Sequence, residues 1–326
     1  MANGKLLRQL IKSGAQGDES NFRAASEAII AEEREKQHHL LANDLERLLY
    51  GTSSDTKKSH LRLVSQLPSN KDSGLALLEE RPAIREQNAI VLADTTQSAF
   101  DEIVQEHNRA DVLRSFGLQP AQKLLFFGPP GCGKTLAAEV LANALSLPLV
   151  LVRLDSLISS FLGETAGNLR KVFDYIEKHP VVALFDEFDA LAKDRGDSAD
   201  HGELKRSVNA VLQMLDGYRG QSILIATTNY DSLLDPAVWR RFDETIHFDL
   251  PNTEQVKRLL SLKLSGVRRK FEPADTKLAT MFKGMSHADV ERVIRRAIKE
   301  MVLQGREFLE MQHLESALAR EHRIRQ

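Results

Sequence analysis

The sequence predicts an α/β fold: a parallel five-stranded sheet followed by a small all-helical domain, with a helical region ahead of both. Three observations carry this. Between residues 123 and 249, short apolar runs alternate with helical patterns, as strands and crossover helices do. The first run leads directly into a glycine-rich loop and then a strong helix former, the strand–loop–helix order of a phosphate-binding turn. After Pro251 only helical patterns remain, through to Gln326.

Taken in order, residues 1–51 read as helical. Leu6, Leu7, Leu10 and Ile11 form a short apolar face that closes near Gly14. A longer helix is expected from Ser20 to Tyr50-Gly51, with glycine suited to its C-terminal cap. Its apolar positions form two groups, Phe22, Ala25, Ile29 and Ile30, then Leu41, Leu45, Leu48 and Leu49. The polar stretch between them, Glu32 to His39, reads either as a solvated surface or as the middle of a partner-docking hairpin. His38-His39 lacks a third ligand nearby and reads as exposed polar surface. Residues 52–89 are turn-rich and read as a linker, with Leu75–Leu78 and Ala89–Leu92 as candidate short strands. Thr96 to Phe116 reads as a helix. The five strands are then placed at 123–127, 149–154, 181–185, 222–227 and 244–249, within a domain spanning 90–250. Four of them are nearly continuous apolar runs, as strands covered on both faces must be. Val256, Leu259, Leu260 and Leu262 open the helical domain, 251–326.

Composition narrows the function classes. At 326 residues, with 42% hydrophobic and 28% charged residues, the chain has room for about two domains of ordinary globular character. No apolar run approaches the ~20 residues needed to cross a bilayer, and the start lacks a signal-peptide pattern. No membrane partner is therefore expected. A net charge of −2 and the lack of a basic stripe argue against nucleic acid as partner. With one cysteine, Cys132, no disulfide can form within the chain, and a cytoplasmic setting is expected.

The chemistry starts at Gly128-Pro129-Pro130-Gly131-Cys132-Gly133-Lys134-Thr135, which fits G-x-x-x-x-G-K-[ST]. Glycines let the backbone turn its N–H groups inward, and the helix starting near Leu136 presents its positive end. Gly128 to Leu136 thus form the expected ATP- or GTP-binding set, with Lys134 on the β- and γ-phosphates and Thr135 on Mg²⁺. Val181 to Phe185 end in Asp186-Glu187. That strand is expected beside the loop strand, so that Asp186 holds Mg²⁺ through water and Glu187 polarises the attacking water. Ile223 to Thr228 end in Asn229, placed to hydrogen-bond the γ-phosphate or the lytic water, or else to cap a turn.

With the following Leu234-Asp235-Pro236-Ala237 … Arg240-Arg241-Phe242-Asp243, these motifs stand in the order of the AAA family of ATPases, which residues 90–326 resemble. The resemblance implies that Asn229 is sensor 1, and that Arg240 and Arg241 are arginine fingers reaching a neighbouring subunit's nucleotide. The Arg-Arg pair before Phe242 resembles the spastin, katanin and vacuolar-sorting branch. Ser159 to Thr165 resemble the first pore loop, with Phe161, Leu162 and Gly163 at the channel; Phe161 and Leu162 read alternatively as helix-start core. Arg195-Gly196-Asp197 and His201-Gly202-Glu203 stand at the second pore loop. Gly284 to Asp289 resemble the sensor 2 segment, which places His287 and Ala288 near the adenosine, with histidine where the family has glycine. The resemblance further implies a homo-oligomeric ring, a hexamer, that threads protein substrates through its pore. The chain as a whole resembles stand-alone bacterial AAA proteins encoded beside a subtilisin-like serine protease in defence or plasmid-exclusion loci, which implies a separate protease partner. The rival readings are a DNA-linked motor and a nucleotide switch that assembles without translocating.

Overall fold

The computed structural model describes residues 12–13, 19–35, 67–70, 74–83, 85, 89–158, 165–191, 210–230 and 236–325. The chain divides into two compact units, Met1–Arg62 and Leu63–Gln326. In the first, helix α1 (Glu19–Glu35) has Ala25, Ile29 and Ile30 buried and Phe22 partly exposed. The expected continuation of this helix to Gly51, with His38-His39 and the second apolar group, lies outside the described residues.

The second unit is built on a six-stranded sheet. Its strands are β1 (Leu78–Arg81), β2 (Lys123–Phe127), β3 (Leu149–Val152), β4 (Val182–Phe185), β5 (Ile223–Thr228) and β6 (Glu244–His247), in the spatial order β1-β3-β4-β5-β2-β6. Five are parallel, and β1 is antiparallel to β3. The sixth strand, β1, comes from the stretch read as a linker. Ala89–Leu92, a candidate strand, forms none. Glu79, Glu80 and Arg81 follow Leu78 on this edge, and such charges carry no strand signal in the sequence.

Side-chain alternation sends neighbours in each strand to opposite faces. Leu125, Ala183, Phe185, Leu224 and Ala226 enter one core, covered by Val172, Phe173 and Ile176 of a helix at Thr165–Lys178 and by Leu215 of the helical segment 210–217. Leu124, Phe126, Leu184, Ile223 and Ile225 enter the other, covered by Phe100 and Ile103 of a helix at Asp94–Asn108 and by Ala137 and Leu141 of a helix at Lys134–Ala144. Burial on both faces is why β4 is wholly apolar and why β2 and β5 carry polar residues only at their ends, Lys123 and Thr227-Thr228.

A third core joins four helices, Thr253–Lys263, Thr276–Thr280, His287–Leu303 and Met311–Arg325, around Leu260, Phe282, Val293 and Leu314. Val91, from the segment between β1 and β2, packs into it. Asn252 and Ser286 start two of these helices with reciprocal capping boxes through Gln255 and Asp289. Among the described residues, no helix is long and apolar enough to cross a membrane.

One charge within this helical layer is fully covered. Glu321 has no exposed surface, and its carboxylate accepts hydrogen bonds from Arg292 and, at 2.6 Å, from Arg296. It ties the last two long helices together. Because both arginines can regain water, Glu321→Ala should cost about 2 kcal/mol, the scale of one charge-assisted hydrogen bond. A lower urea midpoint at unchanged slope would report it. An unchanged midpoint would show the ion pair to be neutral for stability.

Candidate functional site

Register sets the site. Phe127 lies opposite Thr228, and Phe185 opposite Ala226, so β2, β4 and β5 end at one rim. The strand order corrects one expectation: the acid-bearing β4 is not the neighbour of the loop strand β2. β5 lies between them, so Asp186 stands beside Thr227 of β5.

The loop after β2 is held by close approaches that exclude side chains at its glycines. Gly128 has φ +134°, and a Cβ there would stand 2.1 Å from the Phe248 carbonyl oxygen. Gly131 has φ +75°, and a Cβ there would meet the Ser286 hydroxyl at 2.6 Å. The helical layer thus rests directly on the loop, where Ala288 N–H donates to the Gly131 carbonyl at 3.0 Å. The helix that follows begins after Gly133, which has no side chain to cap it, and its first N–H groups suit an anion.

Lys134 is 6% exposed, and its ammonium donates to the carbonyls of Gly128 and Pro129 at 2.8 and 2.9 Å. Burial draws its pKa below the ordinary lysine value, against the pull of Cys132, Asp186 and Asp189. Next in sequence, the Thr135 hydroxyl donates to Asp186 Oδ2 at 3.1 Å. A hydroxyl and one carboxylate are hard oxygen donors suited to Mg²⁺, which takes its remaining ligands from phosphates and water. Among the described residues no cluster of three His, Cys, Asp or Glu is arranged to hold a metal.

A cavity of about 360 Å³ brings these groups together. From the sheet rim come Pro130 to Leu136, Asp186, Glu187 and Asn229; from the helical layer come Leu259, Lys263, His287, Ala288 and Glu291; and Ala89, Ile90 and Val91 complete the lining. Glu187 is exposed, and its backbone is left-handed, with φ +53°. Ala89–Val91, Leu259 and the Lys263–Glu291 ion pair (3.2 Å) escaped the sequence reading. Their only signal was apolar character or helical spacing, which core residues share.

His287 has both ring nitrogens covered and without a hydrogen bond of ordinary geometry. Burial lowers its pKa, partly offset by the main chain of Val91, so the ring is neutral at physiological pH. Arg240 and Arg241 are not in the cavity wall. Arg241 pairs with Asp216 at 2.9 Å and donates to the Ala237 carbonyl, while Arg240 is exposed. Trp239 beside them packs edge-on against Phe127, with centroids 4.9 Å apart. Residues 159–164, with Phe161, Leu162 and Gly163, the second pore-loop segment and Leu234-Asp235 lie outside the described residues, while Thr165 opens the helix Thr165–Lys178.

Cys132 is buried in the loop. Burial pushes its thiol pKa up, opposed by Lys134 and reinforced by Asp249. At neutral pH it therefore holds less reactive thiolate than a free cysteine. Alkylation should be slower than for a peptide thiol, accelerate as pH rises, and slow further with Mg-ATP. Mass-spectrometric labelling rates check this, and equal rates with and without nucleotide would separate the thiol from the site.

The family model described as "ATPase family associated with various cellular activities (AAA)" matches residues 124–250, the stretch from β2 to just past β6. A protein of Sinorhizobium fredii, described as an uncharacterized AAA family ATPase, is 42% identical over 325 residues, covering 100% of this chain and 97% of its own. A proteasome-activating nucleotidase of Thermococcus onnurineus is 31% identical, over 82% of this chain and 70% of its own. A putative 26S proteasome regulatory subunit homolog of Methanocaldococcus jannaschii is 28% identical, over 79% and 72%. A phosphate loop, an acid pair and a polar strand end set at one rim are thus found in a chain similar to AAA proteins over its whole length, and the chain belongs to the AAA family of ATPases.

Proposed function

We propose that this ATPase works as a subunit of a homo-oligomeric ring, drives the remodelling or unfolding of polypeptides through a central pore, and completes each active site with arginines from its neighbour. One observation carries the reading. The cavity gathers phosphate loop, acid pair and Asn229, yet neither Arg240 nor Arg241 lines it. A transferring phosphoryl group develops charge that a guanidinium stabilises, and a neighbouring subunit can supply that group. Exposed Arg240, and Arg241 held by Asp216, are available for that contact.

Within one subunit, Gly128 to Leu136 bind the phosphates and Glu187 orients water for in-line attack; Thr135 and Asp186 would hold Mg²⁺, which would supply neutralising charge to the phosphates. Asn229 holds the γ-phosphate or the water, and His287 and Ala288 border the nucleoside. Relatives named as proteasome-activating nucleotidases support a polypeptide substrate and a separate protease as partner. Residues 1–51 would serve as docking helices, and 251–326 as a lid over the nucleotide.

The shared site has a direct test. Lys134→Ala and Arg241→Ala should each be nearly inactive alone, while a mixture should recover turnover at sites pairing an intact loop with intact fingers. Mixed rings, verified by native mass spectrometry, that recover nothing would refute the assignment in trans. Threading is tested at Phe161. Phe161→Ala should keep its melting temperature and basal ATPase yet lose substrate unfolding. A core role would instead cost about 3–5 kcal/mol of stability, and unimpaired unfolding would move the grip elsewhere.

A further inference from the structure

The strand that ends in Asn229 also holds the turn that carries Glu187. Thr227 is 2% exposed, and its hydroxyl lies between two groups of that turn. It donates to Asp186 Oδ1 and accepts from the Glu187 N–H at 3.2 Å. A hydroxyl has one proton to give and lone pairs to receive, so both bonds are made at once. Asp186 Oδ1 also accepts from the Glu187 N–H, at 3.2 Å. The hold is returned in the other direction. Asp189, 2% exposed and two residues past Glu187, accepts from the Thr228 hydroxyl at 3.2 Å and from the Asn229 N–H at 3.4 Å.

What this clasp secures is a conformation the chain does not favour. Glu187 has φ +53°, in the left-handed region that a side chain with a Cβ adopts only when its surroundings impose it. Its N–H bonds to Thr227 and Asp186 are such an imposition, and in this conformation Glu187 lines the cavity. We propose that Thr227 is a positioning residue for hydrolysis: its hydroxyl locks the Asp186–Glu187 turn so that the Glu187 carboxylate faces the water to be activated. Asp189 ties Asn229 into the same unit. The two turns then move together, and the acid and the sensor keep their mutual placement when nucleotide arrives. The inference rests on the proposed role of Glu187.

Thr227→Val keeps the shape and removes the hydroxyl. Lys134 and the loop carbonyls take no part in the clasp, so the Kd for ATP, measured by calorimetry, and KM should stay within about twofold. The value of kcat should fall about tenfold, the effect of one lost positioning hydrogen bond. Thr227→Ser should restore it to within about threefold. Because Thr227 acts through Glu187, adding Thr227→Val to Glu187→Gln should cause no further loss. A Thr227→Val enzyme with unchanged kcat, a serine variant as slow as valine, or a multiplicative loss on Glu187→Gln would each overturn the proposal. Thr227→Ala, which needs no extra space, gives the same comparison if valine disturbs folding. A Glu187→Gln variant with normal turnover would refute the role of Glu187 and this inference with it. An inactive Glu187→Gln beside an unimpaired Thr227→Val would refute only the inference.

Discussion

Hydrogen bonding among β4, β5 and β2 is the constraint on which the rest of the site depends. Their parallel register places Phe185 beside Ala226 and Phe127 beside Thr228, and it thereby delivers Asp186, Asn229 and the glycine loop to a single rim. Slipping β5 by one residue would exchange its two faces, sending Thr227 and Ile225 into the wrong cores. The fully buried side chains of β4 and β5 hold that register, because a slip would force each side chain into the wrong packed core. The geometry of the cavity is thus a by-product of how the sheet buries its core.

The second constraint is the contact between loop and helical layer. Gly131 and Ser286 approach so closely that a single methyl at the loop would collide, and Ala288 donates its N–H to the loop carbonyl. Val91 adds a strut from the segment between β1 and β2 into the helical core. These contacts couple the lining residues of the helical layer, Leu259, His287 and Glu291, to the phosphate loop without any covalent proximity. A shift of the helical layer must therefore be felt at Gly131.

Charge distribution around the rim follows the same economy. Lys134 is the loop's buried cation, and it is satisfied by the carbonyls of Gly128 and Pro129. The acids form a chain in which Thr135, Thr227 and the Glu187 N–H all converge on Asp186. The two arginines stand on another part of the surface, beside the edge-on contact of Trp239 with Phe127 of the loop strand. In the composite site proposed above, that separation would leave the buried machinery local, with the stabilising cation supplied by a neighbour.

How much of this was legible before folding can be argued residue by residue. The phosphate loop, the acid pair, Asn229 and the five parallel strands were readable because each rests on local rules: glycine conformations, a fixed spacing to Lys134, and apolar runs that end in polar groups. The strand order was not readable, and the expectation that β4 adjoins β2 failed because sheet neighbours are chosen by long-range packing. For the same reason the edge strand Leu78–Arg81 passed for linker: its charges suit an exposed edge, and only pairing with Val152 to Leu149 makes it a strand. Thr227 and Asp189 were in plain view beside the motifs, yet a buried hydroxyl and a solvated one look alike in sequence. Local chemistry along the chain determined which groups could meet a nucleotide; the tertiary structure alone decided which of them touch, because hydrogen bonds across β4 and β5 join residues about forty positions apart.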